Sequence, residues 1–377
     1  MTEIHNFYFP TTIRFGAGAI KLLRQELTQR RCKRPFIVTD RGVVAQPFFQ
    51  TILNELKDFN PAVYSDVHPN PWLSDVTKGA KICREIEADC IVTVGGGSPM
   101  DTAKAIALMA CVEGELFQYQ DGGPKEIPST ILPIIAIPTT AGTGSEVGRS
   151  AVISEDNTGI KHIIFSPSLL PKLVLADPEV TLGLPHHITA ATGMDALTHN
   201  IEAYLAKDFH PICDGIALEG TRLVMENLET AVKDGKNMKA REGMLMGAMM
   251  GAVAFQKGLG ATHSMAHPLT TVANVPHGLA NALCLARVLE FNKEVVEKRL
   301  ATLATHLGLK DKSADGFIAS IRKLTDAIGI PKRLRDVGIK EEMMPRLVEL
   351  AVQDGCHQCN PRSVTKADFE RMYRELL

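Results

Sequence analysis

Three things are scarce in this 377-residue sequence, and each scarcity removes a class of function. There is no excess charge of either sign: 41 Lys and Arg against 43 Asp and Glu leave a net charge of −2, with no basic footprint for nucleic acid or an anionic membrane. There is no apolar run near the roughly 20 residues that span a bilayer. The opening residues, Met1-Thr2-Glu3-Ile4-His5-Asn6, also show no basic segment followed by an apolar one, so a cytoplasmic protein is expected. Paired cysteine motifs are missing as well. The eight cysteines are scattered, and the single Cys-x-x-Cys at Cys356 and Cys359 has no second pair, which suits reduced thiols better than a disulfide framework or a structural zinc site.

The length exceeds one ordinary core and suggests two domains. Up to about residue 184, strand-like and helix-like segments alternate, which predicts a parallel sheet covered by helices. Phe7-Tyr8-Phe9 and Ile13-Arg14-Phe15 read as a hairpin. Helical periods follow at residues 16–30, 46–57 and 74–86, and strands at 34–40, 62–64, 89–94, 131–137, 151–153 and 173–176. From Pro185 onward strand signals vanish and helical periods take over, including residues 211–233, 238–255, 280–307 and 365–376. The expected organisation is an α/β N-terminal domain over residues 1–184 and an all-α domain over residues 185–377.

The ordinary dinucleotide motif with G-x-G-x-x-G spacing is absent. In its place, the strand ending at Val94 runs into Gly95-Gly96-Gly97-Ser98-Pro99-Met100-Asp101. Ser98 is suited to cap a helix, Pro99 to its first position and Asp101 to a capping-box acid. Glycines before a helix start let backbone N–H groups approach a pyrophosphate. A second loop, Pro138-Thr139-Thr140-Ala141-Gly142-Thr143-Gly144-Ser145-Glu146, is dense in hydroxyls and suits either a cofactor's ribose or nicotinamide or a plain connection.

Four of the twelve histidines, His199, His263, His267 and His277, stand out in one later stretch. Asp195 and His199 stand four apart on one helical face, His263 and His267 form a second pair, and Pro276-His277-Gly278 follows. Asp195, His199, His263 and His277 offer three nitrogens and one oxygen to a divalent transition metal, and the absence of cysteine favours an open catalytic site over a closed structural one. His267 is left over.

These blocks, with Lys104, Val147 and the segment from Gly258 to Pro268, resemble the iron-containing alcohol dehydrogenase family over nearly the whole length. The resemblance implies a dehydroquinate-synthase-like two-domain fold, NAD(P) on the first domain and the metal on the second. It implies that Asp195, His199, His263 and His277 are the ligands, with His267 beside the nicotinamide. It further implies cofactor contacts at Asp40, Asn70, Gly96, Gly97, Ser98, Asp101, Thr139, Thr140, Ser145, Lys161 and Leu182. Asp40, at a strand end, is expected to bind the adenosine ribose and repel a 2′-phosphate, so NAD is expected over NADP. Fe²⁺ is the favoured metal, with Zn²⁺ binding such sites more tightly. A small alcohol or aldehyde is the expected partner, in a homo-oligomer, with no nucleic acid and no membrane.

Within that family the chain resembles the 4-hydroxybutyrate dehydrogenases at residues 38–44, 177–185, 254–260 and 356–362, but carries Leu285-Ala286-Arg287 where many relatives have Leu-Pro-His. A substrate carboxylate would need a cation, for which Arg149, Lys257 and His357 are candidates, with Phe255 also expected at the substrate. The chemistry implied is reversible hydride transfer, with His267 passing a proton or orienting a ligand. General short-chain alcohol, lactaldehyde or 1,3-propanediol oxidation, and a lyase on the same fold, are the alternatives.

Overall fold

The computed structural model describes residues 11–377, and the chain divides into two compact units. The first unit contains β1 (Thr12–Phe15), α1 (Leu23–Gln29), β2 (Pro35–Val38), α2 (Arg41–Val44), α3 (Pro47–Glu55), β3 (Ala62–Tyr64), α4 (Leu73–Glu85), β4 (Cys90–Gly95), α5 (Gly97–Met109), β5 (Ile134–Pro138), β6 (Ser150–Ser154), β7 (Lys161–Phe165) and β8 (Leu173–Ala176). Six strands form a wholly parallel sheet in the order β1-β8-β5-β4-β2-β3. Strands β2, β4, β5 and β8 are buried along their whole length, which is why they read as continuous apolar runs rather than alternating ones. Alternate side chains enter two cores: Phe36, Val38 and Ile91 meet Val76 and Ile106 on one face, and Ile37, Val92 and Ile135 meet Leu23, Leu27 and Ile52 on the other.

The register pairs Val38 with Thr93 and Gly95 with Pro138, so Asp40, the glycine turn and Thr139 all emerge at the C-terminal edge of the sheet. In open α/β sheets ligands bind at that edge.

Several sequence expectations need correction. Phe7-Tyr8-Phe9 lies outside the described residues, while β1 pairs in parallel with β8 rather than across a tight turn. Strand β6 does not join the sheet; it pairs with β7 and, through one isolated bridge, Ser154 with Trp72, and β7 is a strand without a sequence signal because one of its five residues is buried. Helix α5 starts at Gly97 and is capped by Gly96, so Ser98 is neither the cap nor Asp101 its capping-box partner. Proline is tolerated through the first helical turn, whose N–H groups lack intrahelical acceptors, so Pro99 does not mark the first position. The boundary is also not a single cut: Ala141–Thr143 cluster with the second unit.

That second unit contains α6 (His186–Leu205), α7 (Pro211–Lys233), α8 (Met238–Ala254), α9 (Ala261–Ala273), α10 (His277–His306), α11 (Ala314–Ala327), α12 (Met344–Gln353) and α13 (Lys366–Leu376). Helix α6 is buried without a break from Gly193 to Leu205 and packs against α7, α8 and α10, so that Asp195, His199 and Glu202 are carried into the interior. Gly278 allows the start of α10 to press on α6: a Cβ there would lie 2.0 Å from the Ala191 carbonyl oxygen. Among the described residues no helix is long and apolar enough to cross a membrane.

Candidate functional site

The parallel-sheet unit builds a cradle from backbone. Gly95 has φ +154°, and a Cβ there would strike the Pro99 ring at 2.5 Å, so the turn from β4 into α5 requires glycine. No side chain caps α5, which leaves the first-turn N–H groups for an anion. Around this turn Ser98 Oγ accepts from Asn70 N at 3.3 Å, and Asn70 Oδ1 accepts from Lys161 Nζ at 3.2 Å. Thr139 is buried, with its N–H on Gly95 O at 3.0 Å, and Thr140 lies against Gly96.

Asp101 and Ser145 are drawn inward instead. Asp101 Oδ1 accepts from Ser145 Oγ at 2.6 Å and Oδ2 from Val152 N at 3.0 Å. Ser145 Oγ also accepts from Lys104 Nζ at 2.8 Å. Both carboxylate oxygens of Asp101 are therefore committed to fastening β6 and the Thr-Gly loop to α5. Burial pulls the Lys104 amine down from its ordinary range.

Asp40 caps α2 through Oδ1, which accepts from Val43 N at 2.9 Å. Its other oxygen makes no further hydrogen bond among the described residues and is available to a ribose hydroxyl. Leu182 ends the short helical turn Pro178–Thr181 and is half-buried.

The helical unit gathers the metal-ligand candidates. Asp195 Oδ1 lies 3.3 Å from His277 Nε2, 3.8 Å from His199 Nε2 and 3.9 Å from His263 Nε2. Ligating atoms of Asp195, His263 and His277 all fall within 4.8 Å of one another, a set that does not include His199. Metal ligation needs an ionised carboxylate and neutral imidazoles. Burial alone would raise the Asp195 carboxyl, but the facing His199 and His277 rings hold it well below the usual range. Burial takes His199 down to about 4 despite the attraction of Asp195, which favours the neutral ring, whereas the bond to Glu202 raises His263 against its burial. Three imidazole nitrogens and one carboxylate oxygen, convergent and buried except for the partly exposed His277, fit a divalent transition metal.

Two residues without a sequence signal complete this centre. Glu202 lies seven residues after Asp195 on the same face of α6 and is buried. Its Oε2 accepts from His263 Nδ1 at 2.7 Å and Gly260 N at 2.9 Å, and its Oε1 from Thr262 N at 2.6 Å. That carboxylate fixes the His263 ring with Nε2 toward Asp195. Asn281, one turn into α10, donates to Asp195 Oδ1 at 2.8 Å. Thr143 Oγ1 reaches the other Asp195 oxygen at 3.4 Å.

His267 stacks on the His277 ring at 5.2 Å, is partly exposed, and holds Asp354 Oδ2 through Nδ1 at 2.7 Å. It makes no hydrogen bond to a ligand candidate. The Phe255 ring lies 5.1 Å from that of His199. Of the candidate cations, Lys257 is excluded by the structure: its buried ammonium is bound to Asp214 at 2.5 Å and to Tyr204 O at 3.1 Å. His357 sits edge-on to Phe369 with a buried Nδ1 that has no hydrogen-bond partner among the described residues. The Arg149 guanidinium lies over the Phe165 ring at 5.1 Å.

Comparison with known proteins matches residues 10–178 to the iron-containing alcohol dehydrogenase model and residues 189–377 to the C-terminal model of the same family. The chain is 41% identical to 4-hydroxybutyrate dehydrogenase of Cupriavidus necator, over 98% of each chain. It also matches the crystal structure of a 1,3-propanediol oxidoreductase, with a TM-score of 0.94 and 36% identity over 100% of both chains. A sulfoacetaldehyde reductase from Bifidobacterium kashiwanohense, solved in complex with NAD⁺, superposes with a TM-score of 0.93 at 32% identity, covering 100% of this chain and 99% of that one. Membership implies a divalent metal and NAD(H). Both halves being matched, the chain belongs to the iron-containing alcohol dehydrogenase family and is an oxidoreductase acting on CH–OH groups.

Proposed function

We propose that this protein interconverts 4-hydroxybutyrate and succinic semialdehyde with NAD(H). The observation that carries the reading is the 41% identity, across almost all of both chains, to the Cupriavidus necator enzyme of that name. Asp195, His199, His263 and His277 hold the metal, Fe²⁺ by preference. The first-turn amides of α5 hold the pyrophosphate, and Asp40 holds the ribose and excludes a 2′-phosphate. When bound, the metal supplies Lewis-acid polarisation of the substrate oxygen and the nicotinamide supplies or accepts the hydride. His267, steadied at Nδ1 by Asp354, moves the alcohol proton through Nε2. Burial lowers its pKa against the pull of Asp354, which favours the neutral ring needed to accept a proton. Phe255 shields the His199 side of the centre from water.

With Lys257 spent on Asp214, Arg149 and His357 remain as candidates for the distal carboxylate, and Arg149, a permanent cation, is the one taken here. A charge-assisted hydrogen bond is worth about 1.5–3 kcal/mol. Succinic semialdehyde should therefore exceed butyraldehyde by roughly ten- to a hundred-fold in kcat/KM. Arg149→Met should erase most of that margin while sparing butyraldehyde. A wild-type enzyme that handles both aldehydes equally would refute the carboxylate site and leave a dehydrogenase of uncharged short-chain alcohols, as the 1,3-propanediol relatives suggest.

A further inference from the structure

Asn281 has no part in the chemistry above, yet its amide contacts three of the four ligand candidates. The residue is fully buried, four positions after His277. Its Nδ2 lies 2.8 Å from Asp195 Oδ1, 3.2 Å from His277 Nε2 and 3.3 Å from His263 Nε2. Two features of this arrangement do not suit a purely structural amide. An NH₂ group has two hydrogens for three surrounding atoms. At its other end Oδ1 is buried without a hydrogen-bond partner among the described residues, although buried polar groups are nearly always paired.

A half-turn about the Cβ–Cγ bond exchanges the two ends of an amide with almost no change of shape. We propose that Asn281 is a fifth cation-facing group of the metal centre, whose carbonyl oxygen turns toward Asp195, His263 and His277 when a divalent metal is held there. With NH₂ inward, the amide donates to Asp195 Oδ1 and lies within reach of His263 and His277, which keeps the carboxylate and imidazoles gathered. A cation among those lone pairs repels the N–H dipoles and attracts the carbonyl dipole, so loading and rotation are coupled. Three imidazoles and one carboxylate alone satisfy the four-coordinate preference of Zn²⁺. An added oxygen donor favours metals that take more than four ligands, so Asn281 also biases the site away from zinc and toward iron. The inference rests on the metal-centre reading and extends it to a residue outside the ligand set.

The test uses the full-length apoprotein titrated with Co²⁺, following d–d absorption for coordination number and chelator competition for affinity. Asn281→Leu keeps the volume and removes the oxygen, and Asn281→Asp puts an oxygen back. Asn281→Leu should give the stronger bands of a four-coordinate ion and about tenfold weaker Co²⁺ binding, the lower end of what outer partners of a metal site contribute. Its Zn²⁺ affinity should change less. Asn281→Asp should restore the wild-type spectrum with equal or tighter binding. If Asn281→Leu does not fold, Asn281→Ala takes its place. Superimposable spectra for wild type and Asn281→Leu, or an Asn281→Asp variant behaving like Asn281→Leu, would overturn the proposal. An Asp195→Ala protein that titrates like wild type would overturn the metal-centre reading itself.

Discussion

Replacing Glu202 by Gln should loosen the metal without unfolding the protein, and the reason is a shortage of acceptors. The Glu202 carboxylate receives three donors: His263 Nδ1 and Gly260 N at Oε2, and Thr262 N at Oε1. Burial opposes its ionisation, but the bond from His263 and the amide of Thr262 hold the carboxyl below its ordinary range. A glutamine has one acceptor and one donor in the same outline. If its oxygen faces His263, its NH₂ meets the Thr262 N–H, a buried donor-to-donor contact costing about 1–3 kcal/mol. If its oxygen faces Thr262, the NH₂ meets His263, which can accept only by shifting its proton to Nε2, the nitrogen a metal needs. Either arrangement weakens metal binding, by roughly 10- to 100-fold if it follows other outer-shell carboxylates. Chelator competition on wild type and Glu202→Gln would measure this, and circular dichroism of the apoproteins would verify an intact fold. A Glu202→Gln protein with the wild-type fold and wild-type metal affinity would refute the reasoning.

Asp195→Ala or His263→Ala should remove metal and activity, while NADH binding measured by fluorescence stays within about twofold, because the nucleotide cradle is built from other residues. Asp40→Gly should narrow the preference for NAD(H) over NADP(H) in kcat/KM, since glycine can still cap α2 at a cost of only a few tenths of a kcal/mol; a wild type equally efficient with both cofactors would exclude this role. Glu146 gives a pH dependence, because burial pushes its carboxyl from 4.5 up to about 7. Below 4.5 both states are protonated; as pH rises through this window only the unfolded chain ionises, so stability is lost on the alkaline side. Glu146→Gln should recover up to about 3 kcal/mol of that loss, seen as denaturant midpoints that no longer fall between pH 5 and pH 8. Parallel declines in wild type and variant would count against it.

What could be read from the sequence was mostly periodic. Asp195 and His199 share a helical face by their spacing alone, and the apolar runs of β2, β4, β5 and β8 declare a sheet covered on both sides. What could not be read depended on partners distant in the chain. Glu202 looks like any helical glutamate until Thr262 and His263 arrive from sixty residues away. Lys257 looks like a free cation until Asp214 folds against it. Asp101 has the spacing of a capping acid, but Ser145 and Val152 claim both its oxygens. Strand β7 exposes Lys161, Ile163 and Phe165 on one side and buries only Ile164, so its pattern is too weak to register.

The interruption at Val296, where α10 leaves helical geometry at φ −123° and ψ 17°, divides that 30-residue element into two segments of different purpose. The first begins at His277 and carries Asn281; the second runs on to His306 and presents Leu300, Leu303 and Ala304 to the core. A straight rod would transmit any shift of its far end directly to the histidine at its start. A bend about twenty residues away can absorb such a shift, since side-chain insertion or distortion of the hydrogen-bond ladder at one point uncouples the turns on either side. A displacement of the distal segment should therefore reach His277 weakened, with the bend at Val296 taking up part of it.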